Sequence, residues 1–418
     1  MLSSYRQIFA APGTLAFSSA GLVARLPISM TGIGIVTMLS QLRGSFGVAG
    51  AVAAVLALAA AAIGPQVSRL VDRYGQRRVA LPATAVTVAA ATALLLCARL
   101  GAPDWTLFVC AAAMGGMPST GAMVRARWAY LYSDEAPKLH TAYSYEAVMD
   151  EICFIVGPIL SIGLATAVFP EAGVLLAAVF LTLGVLLFTA QRGTEPPVHP
   201  AAHHSGPSVI RNAGLQVLVL TFVATGAIFG SVEVVTVAFA EEQGHTAAAS
   251  LVLAVYALGS CLAGVVYGTL HFKGSLAGRF LGGVALMAAS MVPLVVVGQL
   301  VTGTAGLVAL GVALFVAGIS VSPTLISAMA TVERLVPAAQ LTEGMTWTTT
   351  GLALGVAFGS SAAGWVVDAS GAPAGYWVPV GAAAFGALTA LLGVGRLRAG
   401  LASAAAGTQS PQSVDLGH

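Results

Sequence analysis

The sequence predicts an all-α polytopic membrane protein, with twelve transmembrane helices arranged as two pseudo-symmetric bundles of six. Three observations predict it. The 418 residues are 57% hydrophobic and only 8% charged, where a soluble domain would be about a quarter charged; mean hydropathy is +0.90. Runs such as "GVAGAVAAVLALAAAAIG" (Gly47–Gly64) and "GLVALGVALFVAGISVSP" (Gly306–Pro323) approach the ~20 apolar residues that cross a bilayer at about 1.5 Å rise per residue. One long polar segment, "RGTEPPVHPAAHHSGPSVIRN" (192–212), divides the chain near its middle.

Cutting at polar and turn-rich breaks places the first six spans at 13–39, 47–67, 79–99, 105–127, 143–168 and 171–191. The second six fall at 213–240, 247–270, 278–300, 303–330, 342–367 and 374–396. The expected units are therefore a bundle over 1–191, a connector over 192–212, a bundle over 213–398 and a disordered polar tail over 399–418. The 49 glycines suit close helix approach in lipid. Gly351, Gly355 and Gly359 form a small-residue ridge of that kind.

Placing the N-terminus inside puts fifteen of the eighteen basic residues in cytoplasmic segments, as the positive-inside bias requires. Both termini and the connector are then cytoplasmic. Trp105, Trp365 and Trp377 fall at outer span ends and Trp128 at an inner one, as interfacial anchors; Tyr143 and Tyr145 are placed near the inner headgroups. Sixteen arginines against two lysines point to a GC-rich bacterial genome, hence to the inner membrane.

The halves echo each other. "AAAMGGMPSTGAMV" in span four resembles "FVAGISVSPTLISAM" in span ten, and "YEAVMDEICFIVGP" in span five corresponds in place to "TEGMTWTTTGLALG" in span eleven. A six-plus-six duplication follows.

Charges inside spans are expensive and mark function by default. Arg25 lies ~18 Å into span one, Asp150 and Glu151 ~11–12 Å into span five, and Glu146 ~5 Å. Glu146 and Asp150 share a helix face, whereas Glu151 points about 100° away. An Arg25–Asp150 pair is expected, with Glu151 the rival partner. Glu233, in the outer half of span seven, is the one ionisable residue within its span. Partial burial and a nearby arginine push a carboxyl group's proton affinity in opposite directions, so Asp150, Glu151 and Glu233 are candidate proton carriers. A static buried ion pair is the structural alternative. Trp347, with Thr346 and Thr348–Thr350, is placed on a substrate path.

The stretch "SRLVDRYGQRR" (Ser68–Arg78) concentrates charge between spans two and three. Together with twelve spans, a central connector and a duplicated half, it resembles the major facilitator superfamily. That family's signature in this loop is matched here by Leu70, Asp72, Arg73, Gly75, Arg77 and Arg78; Ser68 replaces a glycine and Gln76 stands where arginine is common. The resemblance implies a conformational latch, in which Asp72 pairs with an arginine or a helix N-terminus and separates when the halves rock. Arg125 or Arg127, ending span four, is the expected arginine. Gly75 permits the turn.

Gly157, Pro158 and Gly163 in "CFIVGPILSIG" loosely resemble the kink and packing motif of that family's drug–proton antiporters, with Cys153 in place of its upstream glycine. The family's arginine in the middle of span four is missing; Arg125 reads as too near the cytoplasm to replace it. What the resemblance implies is proton-coupled efflux of a small organic compound by alternating access. The alternatives are an importer, or a non-transporting receptor on the same fold. No enzyme signature or phosphate-cradling motif appears, so the energy source is a proton gradient and no cofactor is expected. The partners are a small-molecule substrate, protons and lipids. A net charge of +2 gives no reason for nucleic-acid binding, and a monomer is expected. Cys97, Cys110, Cys153 and Cys261 read as small core residues, and His199, His203 and His204 as a solvated linker, so no metal site is expected.

Overall fold

A computed structural model of the chain describes residues 2–43, 46–198, 208–245, 248–270 and 274–408. The three connector histidines lie outside these residues. Sixteen α-helices make up the described fold, with no strand among the described residues. They are α1 (Leu2–Ile8), α2 (Thr14–Arg43), α3 (Phe46–Tyr74), α4 (Gln76–Arg99), α5 (Asp104–Met114), α6 (Thr120–Leu131), α7 (Ala136–Ala167) and α8 (Ala172–Ala190). The second half has α9 (Ala213–Glu242), α10 (Ala248–Tyr267), α11 (Leu276–Leu300), α12 (Gly303–Ile319), α13 (Val321–Leu335), α14 (Leu341–Ser370), α15 (Ala372–Gly375) and α16 (Trp377–Thr408).

Among the described residues ten stretches are long and apolar enough to cross a membrane, and Asp104–Met114 and Leu251–Tyr267 are shorter apolar helices. Together they give twelve spans. The short α1 precedes them, although its polar sequence predicts no element.

Span four and span ten are both broken, at the place where the sequence repeat aligns them. Span four stops at Met114 and resumes as α6 at Thr120; span ten passes from α12 to α13 through Ser320. Both breaks rest on a neighbouring span at glycine. A Cβ built on Gly115 would stand 2.5 Å from that of Ala59, and one on Gly318 would stand 2.2 Å from the Tyr256 carbonyl oxygen. Nothing larger than hydrogen fits there.

Span seven and span eleven pack backbone to backbone. Cβ atoms built on Gly355 and Gly359 would stand 2.0 and 2.1 Å from the carbonyl oxygens of Val223 and Ala227. From the other side, Gly226 and Gly230 meet the carbonyls of Leu352 and Val356. The glycine ridge is thus one face of a two-sided small-residue seam.

Side chains divide into three buried clusters. One belongs to the first half alone (Ile35, Met38, Leu94, Leu107, Val174) and one to the second alone (Ile228, Phe239, Met291, Leu310, Tyr376). The third draws on both, joining Trp128, Tyr143 and Phe188 to Phe280, Ile326, Leu335 and Met345. The halves therefore share a core on the side bearing Ser68–Arg78, hereafter the latch side, and keep separate cores on the far side. Trp105, Trp365 and Trp377 are exposed near far-side helix ends. Trp128 and Tyr143 are not interfacial: both are fully buried in the shared cluster. Helix α16 continues to Thr408, past the expected end of the last span.

Candidate functional site

Ser68–Arg78 is almost entirely helical. Helix α3 runs through Tyr74 and α4 starts at Gln76, leaving only Gly75, at φ +95°, to make the turn. That conformation is open to glycine and strained for other residues. The turn brings Asp72 against the first turn of α14 in the opposite half. The Thr342 amide donates to Asp72 Oδ1 at 3.2 Å and the Glu343 amide to Oδ2 at 2.8 Å. A carboxylate is well matched there, because the first amides of a helix lack intrahelical partners and bear its partial positive charge. Ser68 Oγ lies 2.8 Å from Thr346 Oγ1, and Arg69 Nε 3.9 Å from Glu343 Oε2.

The helix N-terminus, not an arginine, is therefore the partner of Asp72. Arg127 instead holds the first half to the connector. Its Nη1 donates to Gln191 O and Thr194 Oγ1, both at 2.7 Å, its Nε donates to Gln76 Oε1 at 2.8 Å, and its guanidinium stacks on the Phe188 ring at 3.9 Å. Gln76 is buried and passes the contact on, donating to Met123 O. Its neutral amide can both accept from Arg127 and donate onward; an arginine can do only the second. Glu195 of the connector accepts from the Arg77 amide at 3.0 Å, capping α4. Arg73 lies over the Tyr74 ring and Arg78 is exposed; neither crosses to the other half.

Three further bonds join the halves. Thr141 Oγ1 donates to Gly268 O at 2.9 Å, His140 Nε2 lies 2.9 Å from Tyr267 O, and Tyr5 of α1 donates to Val265 O at 2.9 Å. Deeper along α7, Ser260 Oγ of α10 donates to Glu151 Oε1 at 2.7 Å and lies 2.9 Å from Ser322 Oγ at the start of α13.

Within the first half, the charges in the spans form one cluster. Arg25 donates to Asp150 Oδ1 at 2.7 Å and through Nη2 to Glu146 Oε2; Arg125 donates to Asp150 Oδ2 at 2.5 Å. Trp128 Nε1 and Ser18 Oγ complete the shell of Glu146, at 2.7 and 3.4 Å. Glu146, Arg25 and Arg125 are 0, 2 and 5% exposed, whereas the Asp150 side chain is 34% exposed. Arg125 thus belongs to this cluster and not to the latch, contrary to its expected place at the cytoplasmic end. The break in span four explains this: α6 starts afresh at Thr120, so Arg125 sits in its second turn against α7.

Two acids stand apart. Glu151 points away from the cluster, as its 100° offset requires, and among the described residues bonds only Ser260 across the halves. Glu233 of α9 is exposed and has no ion pair among the described residues. One turn before it on the same face, Phe229 meets Tyr256 of α10 edge to face, with centroids 6.3 Å apart. Tyr256 lies one turn from Ser260, the residue that bonds Glu151. Among the described residues its hydroxyl is buried without a partner, as is Trp347 Nε1.

Gly157 and Pro158 lie where α7 meets α2: a Cβ on Gly157 would stand 2.0 Å from Ser29 Oγ, which donates to the Cys153 carbonyl at 2.7 Å. Gly163 faces open space, so the packing role expected of it has no neighbour to act on. The residues missed from sequence are Thr342 and Glu343. The one signal was an acid in the first turn of span eleven, aligned with Glu146 in the repeat.

Two bundles of six, each broken in its fourth span and meeting at Asp72 on one side, define a polytopic membrane protein. The major facilitator superfamily model matches residues 17–313, and the chain belongs to that family. A search of curated proteins found no match. Among solved structures, a bacterial homologue of the iron transporter ferroportin in its outward-facing state superposes with a TM-score of 0.72. It is 14% identical, over 92% of this chain and 99% of that one. The human organic anion transporter MFSD10 gives 0.67 at 14% identity over 93% and 100%. The Escherichia coli fucose:proton symporter FucP gives 0.66 at 14% identity over 91% and 98%. At these identities the likeness is one of fold.

Proposed function

We propose that this transporter exports a small organic cation in exchange for protons, by rocking of its halves about the level of Glu151. It works as a monomer in the bacterial cytoplasmic membrane, with both termini and the latch on the cytoplasmic side. The observation that carries this reading is the pair Glu151 and Glu233, neither with a basic partner among the described residues, flanking the Phe229–Tyr256 aromatic pair. Arg25 and Arg125 are balanced by Glu146 and Asp150, so the cluster is electrically neutral as a unit. The two remaining acids leave the interior short of about two positive charges, and either protons or a cation satisfies them. An aromatic face beside a carboxylate favours an organic cation over a bare one. The shared core closes the latch side, so the separate far-side cores leave the site approached from the other face. The basic-residue bias supports the cytoplasmic assignment of the latch.

The test is exchange in proteoliposomes, with ethidium and tetraphenylphosphonium as probe cations and an imposed pH gradient. Probe flux is expected against the proton gradient, and Glu151→Gln or Glu233→Gln should abolish the pH-driven part. Probe moving with protons would make the protein an importer, and unaltered coupling in both variants would remove these acids from the mechanism.

A further inference from the structure

Helix α10 crosses α12 at glycine on both sides. A Cβ on Gly259 would stand 2.3 Å from Phe315 O, and one on Gly318 would stand 2.2 Å from Tyr256 O. On the far side of that crossing the helices leave a groove of about 600 Å3, lined by Leu251, Val255, Leu307, Val308 and Gly311 and closed at its deep end by Phe315. Leu251 and Val308 are 67 and 63% exposed, so the groove opens sideways onto the lipid-facing surface. Nothing lies within 4 Å of where a Gly311 side chain would begin, and the missing side chain is part of the opening. His245 and Thr304 stand at the mouth.

Thr304 to Phe315 is eleven residues of one helix, or ~16 Å, close to half of the ~30 Å hydrocarbon core. The groove is thus about one leaflet deep, apolar along its length and polar at headgroup level. We propose that the groove holds one acyl chain of a phospholipid of the far-side leaflet. Both the groove and bulk lipid are hydrocarbon, so transfer itself contributes little. The stabilisation is dispersion: a chain held against two helices fills a gap that would otherwise leave its lining without neighbours. The assignment is independent of what the protein transports.

The test is photolabelling in proteoliposomes with a phospholipid bearing a diazirine near the end of one chain, followed by peptide mapping. Label is expected at 251–255 and 307–315 at several times the yield on α16 at Leu388–Leu392, which is equally exposed. Gly311→Leu grows into empty space, so it leaves folding intact. It should cut groove label at least five-fold and leave α16 label unchanged. Even labelling of all three helices, or groove label unchanged by Gly311→Leu, overturns the site. Displacement of the label by a transported cation would make the groove a substrate port and overturn the lipid assignment.

Discussion

Replacing Asp72 with asparagine should shift the protein away from its latch-closed state by a calculable amount. The carboxylate accepts two amides of α14, at 3.2 and 2.8 Å, and such bonds to a charged group contribute about 1.5–3 kcal/mol each. Asparagine keeps one acceptor, turns an N–H toward the other amide and removes the charge that faces the helix N-terminus. Relief from burying a carboxylate offsets part of the loss. The net cost is about 2 kcal/mol, or roughly 30-fold in the closed-to-open ratio; a population of about 99:1 would fall to about 3:1. Spin labels at Asp134 and Ala338, both exposed on the latch side of opposite halves, report that ratio by double electron–electron resonance once the four native cysteines are replaced. A new long-distance population is expected in Asp72→Asn. A distance distribution identical to that of the parent would falsify the capping role, because the retained acceptor and the relief of carboxylate burial offset only part of the loss.

The remaining predictions concern the buried cluster and the packing seam. Arg25→Met leaves Glu146 fully buried beside Trp128 without its cation and should cost about 3–5 kcal/mol, whereas Arg25→Met with Glu146→Met should recover much of it; thermal melting in detergent distinguishes the two, and equal losses would argue against a coupled pair. Gly355→Ala drives a methyl to 2.0 Å of the Val223 carbonyl and should lower the melting temperature markedly, at about 1–3 kcal/mol. Gly163→Ala enters open space and should stay within about 0.5 kcal/mol, so similar losses in both would discredit the seam. Gln76→Ala removes the relay between Arg127 and Met123 and should make the connector more susceptible to limited proteolysis near Thr194; an unchanged cleavage rate would show that Arg127 holds the connector without it.

What the sequence made legible was periodicity and charge. Twelve spans, the repeat and the divergence of Asp150 from Glu151 all follow from apolar run lengths and a 100° step per residue, and the structure brings Arg25 to Asp150 as an intramembrane charge demands. The errors share one physical cause. The resemblance allows Asp72 either an arginine or a helix N-terminus, but letters name only arginines, Arg125 and Arg127; which helix starts there becomes visible only once α14 begins at Leu341. Depth along a span likewise presumes an unbroken helix, and the restart at Thr120 moved Arg125 into the cluster and Trp128 into the core. Those two misplacements are coupled through a single helix. By placing both Arg125 and Trp128 on the face toward α7, the break lets Glu146 and Asp150 share two guanidiniums and an indole, and it frees Glu151, one residue on, to reach Ser260 in the other half. Any change in the charge of the cluster is therefore felt within one residue of a bond that spans the halves, and the broken helix is what makes that adjacency possible.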